Sequence, residues 1–315
     1  IPAYEDKYGQ LAEYLGMDPL SKETIPYDGS NPKFMRGWLD KILLPLQKQG
    51  VDFWWLDWQQ QLNDNRIPAL SNTWWLNYCI FDNQRRTQPE HRPMLYHRWG
   101  GMGNHRYQIG FSGDTYSTWA SLAYQPYFNA TASNVGYGYW SHDIGGHMFV
   151  NYNDKLDREL YTRWMQLGTY LPVMRSHSTK NANMQKEPWK LGSEFQPAVT
   201  ASIRQRYKLA PYIYTAAREA YETGISLCRP LYYDYPEAEE AYAPEFRNQY
   251  MFGSQMLVAP ITEPMVDGVS TVKIWLPEGQ WFETATGTML QGGQIVERRF
   301  LIDEYPVYVK AGSII

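Results

Sequence analysis

The chain has 315 residues, of which 43% are hydrophobic, so it can bury the core of one large domain and of a second, smaller one. Its net charge of −4 offers no basic face to nucleic acid or to an anionic membrane surface, and no apolar run is long enough to span a bilayer. Cys79 and Cys228 are interpreted as two separate buried thiols, with one disulfide as the alternative, which leaves the compartment open.

The first part of the chain alternates helices with short apolar strands. A helix is predicted over residues 31–50, because Asn31 and Pro32 form a start signal and Gly50 a stop. A strand too apolar to be half-exposed follows over residues 51–57. The next predicted elements, in chain order, are a helix over 72–86, a strand over 93–96, a helix over 115–127, a strand over 135–140, a helix over 157–170, a strand over 171–175 and a long helix over 197–223, kinked at Pro211 and stopped by Gly224.

This alternation predicts an α/β fold with a parallel sheet and crossover helices, either an open doubly wound sheet or part of a (β/α)8 barrel. The helical period disappears after Gly224. Residues 271–276 alternate as a strand, 277–280 form a turn and 308–310 form another strand. This part is predicted to be a small antiparallel β-sandwich, so the domains are predicted as residues 1–224 and 225–315.

Three carboxylates fall near the ends of predicted strands, where β/α barrels gather functional side chains. Asp57 ends a strand, Asp143 follows one, and Asp114 lies where a helix should begin. Each has a structural alternative: Asp114 as an N-cap, which the sequence alone favours, Asp57 in a buried ion pair, and Asp143 in a glycine-rich turn. Two acids at strand ends nevertheless fit glycoside hydrolysis, in which one carboxyl group attacks and the other protonates the leaving oxygen.

The aromatic content of 16%, with 13 Trp and 26 Tyr, is typical either of a surface that stacks on sugars or of an aromatic-rich core. Other catalytic signatures are absent from the sequence: the nucleophile elbow, the phosphate-binding glycine loops and the His-Glu-x-x-His zinc motif. The six histidines show no metal-ligand spacing. We therefore predict neither a metal nor a cofactor.

Several motifs in order resemble glycoside hydrolase family 31, the family of α-glucosidases and α-xylosidases. In chain order they are Trp55-Leu56-Asp57, Arg92-Pro93, Arg98, Arg106-Tyr107, the run from Gly113-Asp114-Thr115 to Trp119, His142-Asp143-Ile144-Gly145-Gly146, Arg163 to Gly168, Arg175-Ser176-His177 and Glu187-Pro188-Trp189. The second half continues with Arg229-Pro230-Leu231, Leu257 to Pro260, Pro277 to Trp281 and Ala311 to Ile315. The resemblance runs from about Leu39 to the last residue and implies the C-terminal portion of a TIM barrel followed by the family's proximal sandwich.

The resemblance also implies a retaining, exo-acting α-glycosidase that releases a terminal sugar through a covalent glycosyl-enzyme. Asp57 would be the nucleophile and Asp114 the general acid/base, with the two carboxyl groups about 5–5.5 Å apart. The sugar-binding residues that the resemblance implies are Trp55, Arg98, Phe111, Asp143 and His177. For Arg98 an ion pair is the alternative role, and for Phe111 a core position.

The sequence departs from the family pattern where substrate choice is made. The departures are Trp58-Gln59-Gln60 after the nucleophile, Phe111 in place of a Trp, His97 and Trp99 beside Arg98, and His147 in place of a Phe. They keep open an α-glucosidase, an α-xylosidase, an α-galactosidase, an α-N-acetylgalactosaminidase or a transglycosylase. A carbohydrate-binding protein without activity is the alternative from another class.

The resemblance begins just before the nucleophile strand. We therefore expect the N-terminal sandwich and the first barrel strands to lie outside this chain, and the segment alone to be poorly soluble and inactive because strand edges stay open. The first residues are no targeting leader, so any such signal is expected to be removed or to lie elsewhere. The family slightly favours a secreted or periplasmic location, and the oligomeric state stays open.

Overall fold

The computed structural model describes residues 1–57, 61–98 and 101–315. The sequence departures at Trp58, Gln59, Gln60 and Trp99 therefore lie outside the described residues. The chain divides into two compact units, Ile1–Phe111 and Ser112–Ile315, called unit 1 and unit 2. The predicted domain boundary after residue 224 does not coincide with this division and stays a prediction.

Unit 1 contains short helices followed by three strands with a long helix between the first two. Its elements are α1 (Tyr8–Leu15), α2 (Pro32–Trp38), α3 (Leu44–Lys48), β1 (Trp54–Leu56), α4 (Asn72–Thr87), β2 (Leu95–Arg98) and β3 (Ile109–Phe111). The strands pair in parallel, with Trp54 opposite Leu95 and Tyr96 opposite Ile109. The predicted α/β alternation is thus confirmed in unit 1, although β3 had no clear sequence signal.

The helix predicted over residues 31–50 is interrupted. Its start is confirmed, since the Asn31 side chain accepts hydrogen bonds from the N–H groups of Lys33 and Phe34. A π turn over Leu39–Leu43 separates α2 from α3. Pro45 follows this turn and has no N–H for a helical hydrogen bond, which accounts for the local change in winding.

The predicted strand over residues 51–57 is shorter and more exposed than its composition indicated. Only Trp54–Leu56 forms β1, and Trp55 is 39% exposed. Side chains alternate along a strand, so Leu56 enters the unit 1 core while Trp55 points to the opposite face. The prediction that this strand is buried on both faces was wrong for that reason.

Unit 2 begins with helices and one short strand and ends in antiparallel strands. The first elements are α5 (Trp119–Thr131), β4 (Tyr139–Ser141), α6 (Arg158–Thr169), α7 (Gly192–Lys208) and α8 (Ala210–Thr223). The later strands are β5 (Cys228–Pro230), β6 (Tyr250–Phe252), β7 (Met256–Val258), β8 (Ser270–Leu276), β9 (Gln280–Glu283), β10 (Thr288–Gln291), β11 (Gln294–Phe300) and β12 (Val307–Lys310).

Four predicted elements of unit 2 needed correction. The strand predicted over 135–140 starts only at Tyr139, because a 3₁₀ turn extends to Val135. The helix predicted from residue 115 starts at Trp119, because Thr118 is the N-cap and accepts from the N–H of Ser121. The strand predicted over 171–175 is reduced to one parallel bridge between Ile144 and Ser176. The long helix predicted over 197–223 is two helices with Pro211 in the first turn of α8, whereas its stop at Gly224, with φ of 78°, is confirmed.

The antiparallel part matches the predicted sandwich. Six strands form one sheet in the order β10-β9-β12-β7-β6-β5, and β8 pairs with β11 over its whole length. Arg163 on α6 is fully buried and connects that helix to this part of unit 2. Its guanidinium donates to the Ser270 hydroxyl and to the carbonyls of Leu301, Ile302 and Glu304.

Cys79 and Cys228 are both free thiols, which confirms the interpretation of two separate cysteines, but only Cys228 is buried and Cys79 is partly exposed. Burial raises the pKa of the Cys79 thiol to about 12, which makes it a poor nucleophile. Among the helices of the described residues, none combines the length and the apolar character that crossing a bilayer requires.

Candidate active site

Asp57 follows β1 directly, and Arg98 is the last residue of the neighbouring parallel strand β2. Parallel neighbours end at the same edge of a sheet, which is where barrel enzymes carry their functional groups. The Arg98 guanidinium forms an ion pair with the Asp57 carboxylate through Nε and Oδ1. Their side chains are 10% and 25% exposed, so the pair is only partly open to solvent.

Aromatic rings support this ion pair from within unit 1. The Trp55 ring stacks on Tyr96 with centroids 5.6 Å apart and meets Phe111 edge-on at 6.0 Å. The Arg98 guanidinium lies 5.0 Å from the centroid of the Phe111 ring. Phe111 is only 1% exposed and therefore supports Arg98 from the interior of unit 1, whereas Trp55 is 39% exposed.

A cavity of about 720 Å³ in unit 1 reaches Asp57. Trp55 and Leu56 line one part, and side chains from the N-terminal segment, among them Tyr27 and Trp38, line another. Most of its lining residues are apolar or aromatic, and Glu5, Asp6, Lys7 and Asp57 add charged groups. Small-molecule sites typically combine an apolar wall with a few polar groups in this way.

Asp114 lies in the loop of unit 2 that precedes α5, and its side chain is 35% exposed. The N-cap role that the sequence favoured is wrong, because Thr118 takes it. The loop is held by backbone hydrogen bonds: the His147 N–H donates to the Thr115 carbonyl at 2.7 Å, and the Ser117 N–H donates to the Met148 carbonyl at 2.8 Å. The Asp114 carboxyl group is thus held on a fixed loop and remains accessible.

Asp143 follows β4 and is fully buried. One carboxylate oxygen forms an ion pair with Arg175, and the other lies 3.0 Å from Nδ1 of His147. Burial raises the pKa of Asp143, while the charges of Arg175, His147 and Lys186 oppose the rise. Asp143 therefore organises the neighbouring side chains. The alternative role in the glycine turn is also present, because the Gly146 N–H donates to the Asp143 carbonyl at 2.8 Å.

Lys186 connects the two loops of this cluster. Its Nζ donates to the carbonyls of Ile144, Gly146 and His177 at 2.6–2.7 Å. Burial lowers the pKa of this ammonium group to about 7, against the favourable charge of Asp143. Nothing in the sequence pattern singled out Lys186, since a lysine in a polar loop is typical of a solvated surface.

His147 and His177 pack against each other with ring centroids 5.2 Å apart. Nε2 of His147 lies 3.7 Å from the Asp114 carboxylate. Burial and the positive charges of Arg175 and Lys186 lower the pKa of His177 to about 4, so this imidazole is neutral near pH 7 and can both donate and accept hydrogen bonds. The sequence marked His147 as a departure from the family pattern, and its spacing of four residues from Asp143 is a second signal, but neither showed that it contacts both Asp143 and Asp114.

The side-chain ligand atoms of Asp143, His147 and His177 lie within 4.8 Å of one another, close enough to hold a metal ion. Two cationic groups, Arg175 and Lys186, already act on the Asp143 carboxylate. Their charge opposes a further cation at the same carboxylate. This spatial cluster was not visible in the spacing of the histidines, and the expectation that no metal is used stays a prediction.

The fold thus groups the predicted site residues within each unit. Unit 1 brings together Trp55, Asp57, Arg98 and Phe111, and unit 2 brings Asp143 and His177 close to Asp114 through His147. The individual roles predicted for these residues remain predictions.

Comparison with known families assigns both parts of the chain. Residues 4–216 match the TIM-barrel domain of glycosyl hydrolases family 31, and residues 224–315 match the C-terminal domain of that family. The parallel strands of the described residues are therefore part of a (β/α)8 barrel, followed by an antiparallel sandwich. Both predictions of fold class are confirmed.

An α-xylosidase of Saccharolobus solfataricus is 33% identical over 75% of this chain and 32% of its own length. Alpha-glucosidase 2 of Bacillus thermoamyloliquefaciens is 33% identical over 71% of this chain and 27% of its own. A family 31 dextranase of Flavobacterium johnsoniae, solved with glucose, superimposes with a TM-score of 0.81 at 27% identity over 99% of this chain and 42% of that one. The chain spans about a third or less of the length of these two curated relatives, and it belongs to glycoside hydrolase family 31.

Proposed function

We propose that the protein is a retaining, exo-acting α-glycoside hydrolase that acts like an α-glucosidase. The observation that carries the proposal is the Asp57 carboxylate, which stands at the carboxyl end of β1 in an ion pair with Arg98 at the edge of a cavity. A carboxylate held at the end of a barrel strand can attack an anomeric carbon. Asp57 is the nucleophile in this proposal.

Asp114 is the general acid/base. Its accessible side chain is not used to cap α5, so it can meet a glycosidic oxygen. In the first step Asp57 forms a bond to the anomeric carbon as the glycosidic C–O bond breaks. The leaving oxygen keeps the electron pair of that bond and takes the proton of Asp114. In the second step Asp114 takes a proton from water, whose oxygen displaces Asp57.

The remaining predicted site residues divide into those that meet the sugar and those that support them. Trp55 is 39% exposed and can stack on a sugar, and the Arg98 guanidinium hydrogen-bonds sugar hydroxyls. His177, neutral near pH 7, hydrogen-bonds a hydroxyl. Phe111 and Asp143 are buried and support the pocket by holding Arg98 and Arg175, respectively.

The proposal leaves open which sugar is released and whether water or another sugar accepts it in the second step. Relatives include α-xylosidases, α-glucosidases and a dextranase, and an isomaltosyltransferase of Sporosarcina globispora is 29% identical over 93% of this chain. α-Xylosidase and α-transglycosylase activities therefore stand beside α-glucosidase, and the departures from the family pattern keep α-galactosidase and α-N-acetylgalactosaminidase open. A carbohydrate-binding protein without activity is the alternative from another class.

The test uses the full-length protein with the p-nitrophenyl α-glycosides of glucose, xylose, galactose and N-acetylgalactosamine. Asp57→Asn and Asp114→Asn are measured beside it, with Asp52→Asn as the matched control, because Asp52 is an exposed aspartate just before β1. We expect one glycoside to be cleaved, with kcat falling by at least about 10³-fold in Asp57→Asn and little change in Asp52→Asn.

The stereochemistry of the first product, followed by NMR, distinguishes retention from inversion. A folded protein that cleaves none of the four glycosides would instead favour the binding protein. Cleavage that survives Asp57→Asn would refute the assignment of the nucleophile.

A further inference from the structure

One imidazole in unit 2 lies between a buried carboxylate and an accessible one. Nδ1 of His147 is 3.0 Å from Oδ2 of Asp143, and Nε2 is 3.7 Å from Oδ2 of Asp114. The Asp143 side chain is fully buried, His147 is 16% exposed and Asp114 is 35% exposed. His147 therefore connects the interior of the site to the carboxyl group that meets the substrate.

The two ring nitrogens have different partners. A carboxylate oxygen only accepts hydrogen bonds, so the contact with Asp143 requires a proton on Nδ1. A neutral imidazole with its proton on Nδ1 presents a lone pair on Nε2, toward Asp114. Asp143 thus selects the tautomer, as carboxylates do for histidines in other catalytic sites.

The backbone keeps the His147 ring close to the Asp114 loop. The N–H groups of His147 and Met148 both donate to the Thr115 carbonyl, at 2.7 and 3.2 Å, and Tyr116 forms a parallel bridge with Met148. On the other side the ring packs against His177. The charged and titratable groups around His147 in the described part of unit 2 are Asp114, Asp143, Arg175, His177 and Lys186.

Resting on the proposed role of Asp114, we propose that His147 is a positioning residue for the general acid/base. In the resting site its Nε2 lone pair accepts the O–H of the protonated Asp114 carboxyl group, which holds that group in place until a glycosidic oxygen accepts the same hydrogen bond instead. The proton passes from Asp114 to the leaving oxygen, which also receives the electron pair of the broken C–O bond, while His147 keeps its own proton on Nδ1.

Two amide substitutions test the contact of His147 with Asp143 and its contact with Asp114 separately. The side-chain amide of Asn lies near the position of Nδ1, so His147→Asn keeps the contact with Asp143 and loses the one toward Asp114. The longer Gln places its amide near the position of Nε2, so His147→Gln keeps a group beside Asp114. His147→Phe keeps the ring and removes both nitrogens.

The readout compares two substrates that differ strongly in how much they need the acid. Phenyl and 2,4-dinitrophenyl α-glucosides, or the corresponding glycosides of the sugar that the panel identifies, share the same sugar and differ in the leaving group. Dinitrophenolate leaves without a proton, whereas phenolate leaves far more slowly without one. A structural defect lowers kcat/KM for both, while a misplaced acid lowers it for the phenyl glycoside alone.

We expect His147→Phe and His147→Asn to lower kcat/KM for the phenyl glycoside by about tenfold, a fraction of the roughly 10²–10⁴-fold that a general acid contributes. The dinitrophenyl glycoside should change by less than about twofold, and His147→Gln should lie closer to the unmodified protein. Wild-type behaviour of His147→Asn, or equal losses on both substrates in a variant that keeps the wild-type melting temperature, would overturn the proposal.

Asp114→Asn measured on the same pair separates this proposal from the one on which it rests. If Asp114→Asn shows no dependence on the leaving group, the assignment of the general acid fails. If Asp114→Asn shows that dependence and the His147 variants do not, only the role of His147 is refuted.

Discussion

Gly146 lies where the loop after β4 meets the loop that carries Asp114. Its φ is +80°, and a Cβ built on it would lie 2.4 Å from the Ser117 amide nitrogen and 2.5 Å from the Ser117 Cα. Both contacts are with backbone atoms, which cannot rotate away as a side-chain end would. We predict that Gly146→Ala separates the two loops and impairs catalysis.

The expected effect of Gly146→Ala has two parts, a loss of stability and a loss of catalytic rate. The left-handed conformation costs an alanine about 1–2 kcal/mol. In addition, a contact at 2.4 Å must open by about 1 Å to reach an ordinary van der Waals distance. A displacement of this size at a catalytic group lowers the rate by about 10²-fold. The contact of His147 with Asp114 spans the same two loops, so it should be lost as well.

Gly224 provides the matched control. Its φ of +78° is nearly the same, but an added Cβ would meet no atom within 4 Å. Gly224→Ala should therefore show the backbone cost in its urea unfolding curve and leave kcat/KM unchanged. Gly146→Ala should lose a similar or larger amount of stability together with about 10²-fold in kcat/KM. Full activity of a destabilised Gly146→Ala variant would refute the reasoning, because the clash would then be relieved without moving Asp114.

Two further predictions concern stability. The Glu283 side chain is fully buried and accepts two hydrogen bonds from Arg298, so Glu283→Gln should lower the free energy of unfolding by roughly 3 kcal/mol. Glu297 is exposed, so Glu297→Gln should change it by less than about 0.5 kcal/mol. Equal effects of the two substitutions in urea unfolding would contradict this prediction. His142 is buried and its pKa is lowered from 6.5 to about 3, so the unfolded chain takes up its proton first. The free energy of unfolding should therefore fall as the pH drops from about 6.5 to about 3, by up to about 1.4 kcal/mol per pH unit. His142→Asn should remove the contribution of His142 to this pH dependence. A difference in stability between the two proteins that does not change with pH would contradict the prediction.

Features decided by neighbours in the chain were predictable. Asn31 and Asp157 cap their helices, Gly224 ends α8, and the alternating residues 271–276 lie in β8. In each case a few adjacent residues satisfy or break backbone hydrogen bonds, and no distant partner is needed. The α/β order followed by a sandwich was confirmed for the same reason.

Where neighbouring residues give competing structural signals, the sequence pattern did not decide between them. Asp114 and Thr118 are both good N-caps, and only the helix start at Trp119 shows that Thr118 is used. Pro45 does not interrupt the helical spacing of apolar residues in the sequence of residues 31–50, yet in the structure the helix changes its winding just before it. The run 171–175 is apolar enough for a strand, but it finds only one bridging contact, at Ser176.

The sequence by itself determined the reaction class that we propose, because its ordered motifs and the acids Asp57 and Asp114 can be recognised one segment at a time. Only the tertiary structure decided what surrounds the acids. The Arg98 that pairs with Asp57 is 41 positions away, and Lys186 reaches the Ile144 carbonyl across 42 positions. Such partners meet because the sheet brings the ends of particular strands and loops together. Residue patterns along one segment carry no information about that arrangement.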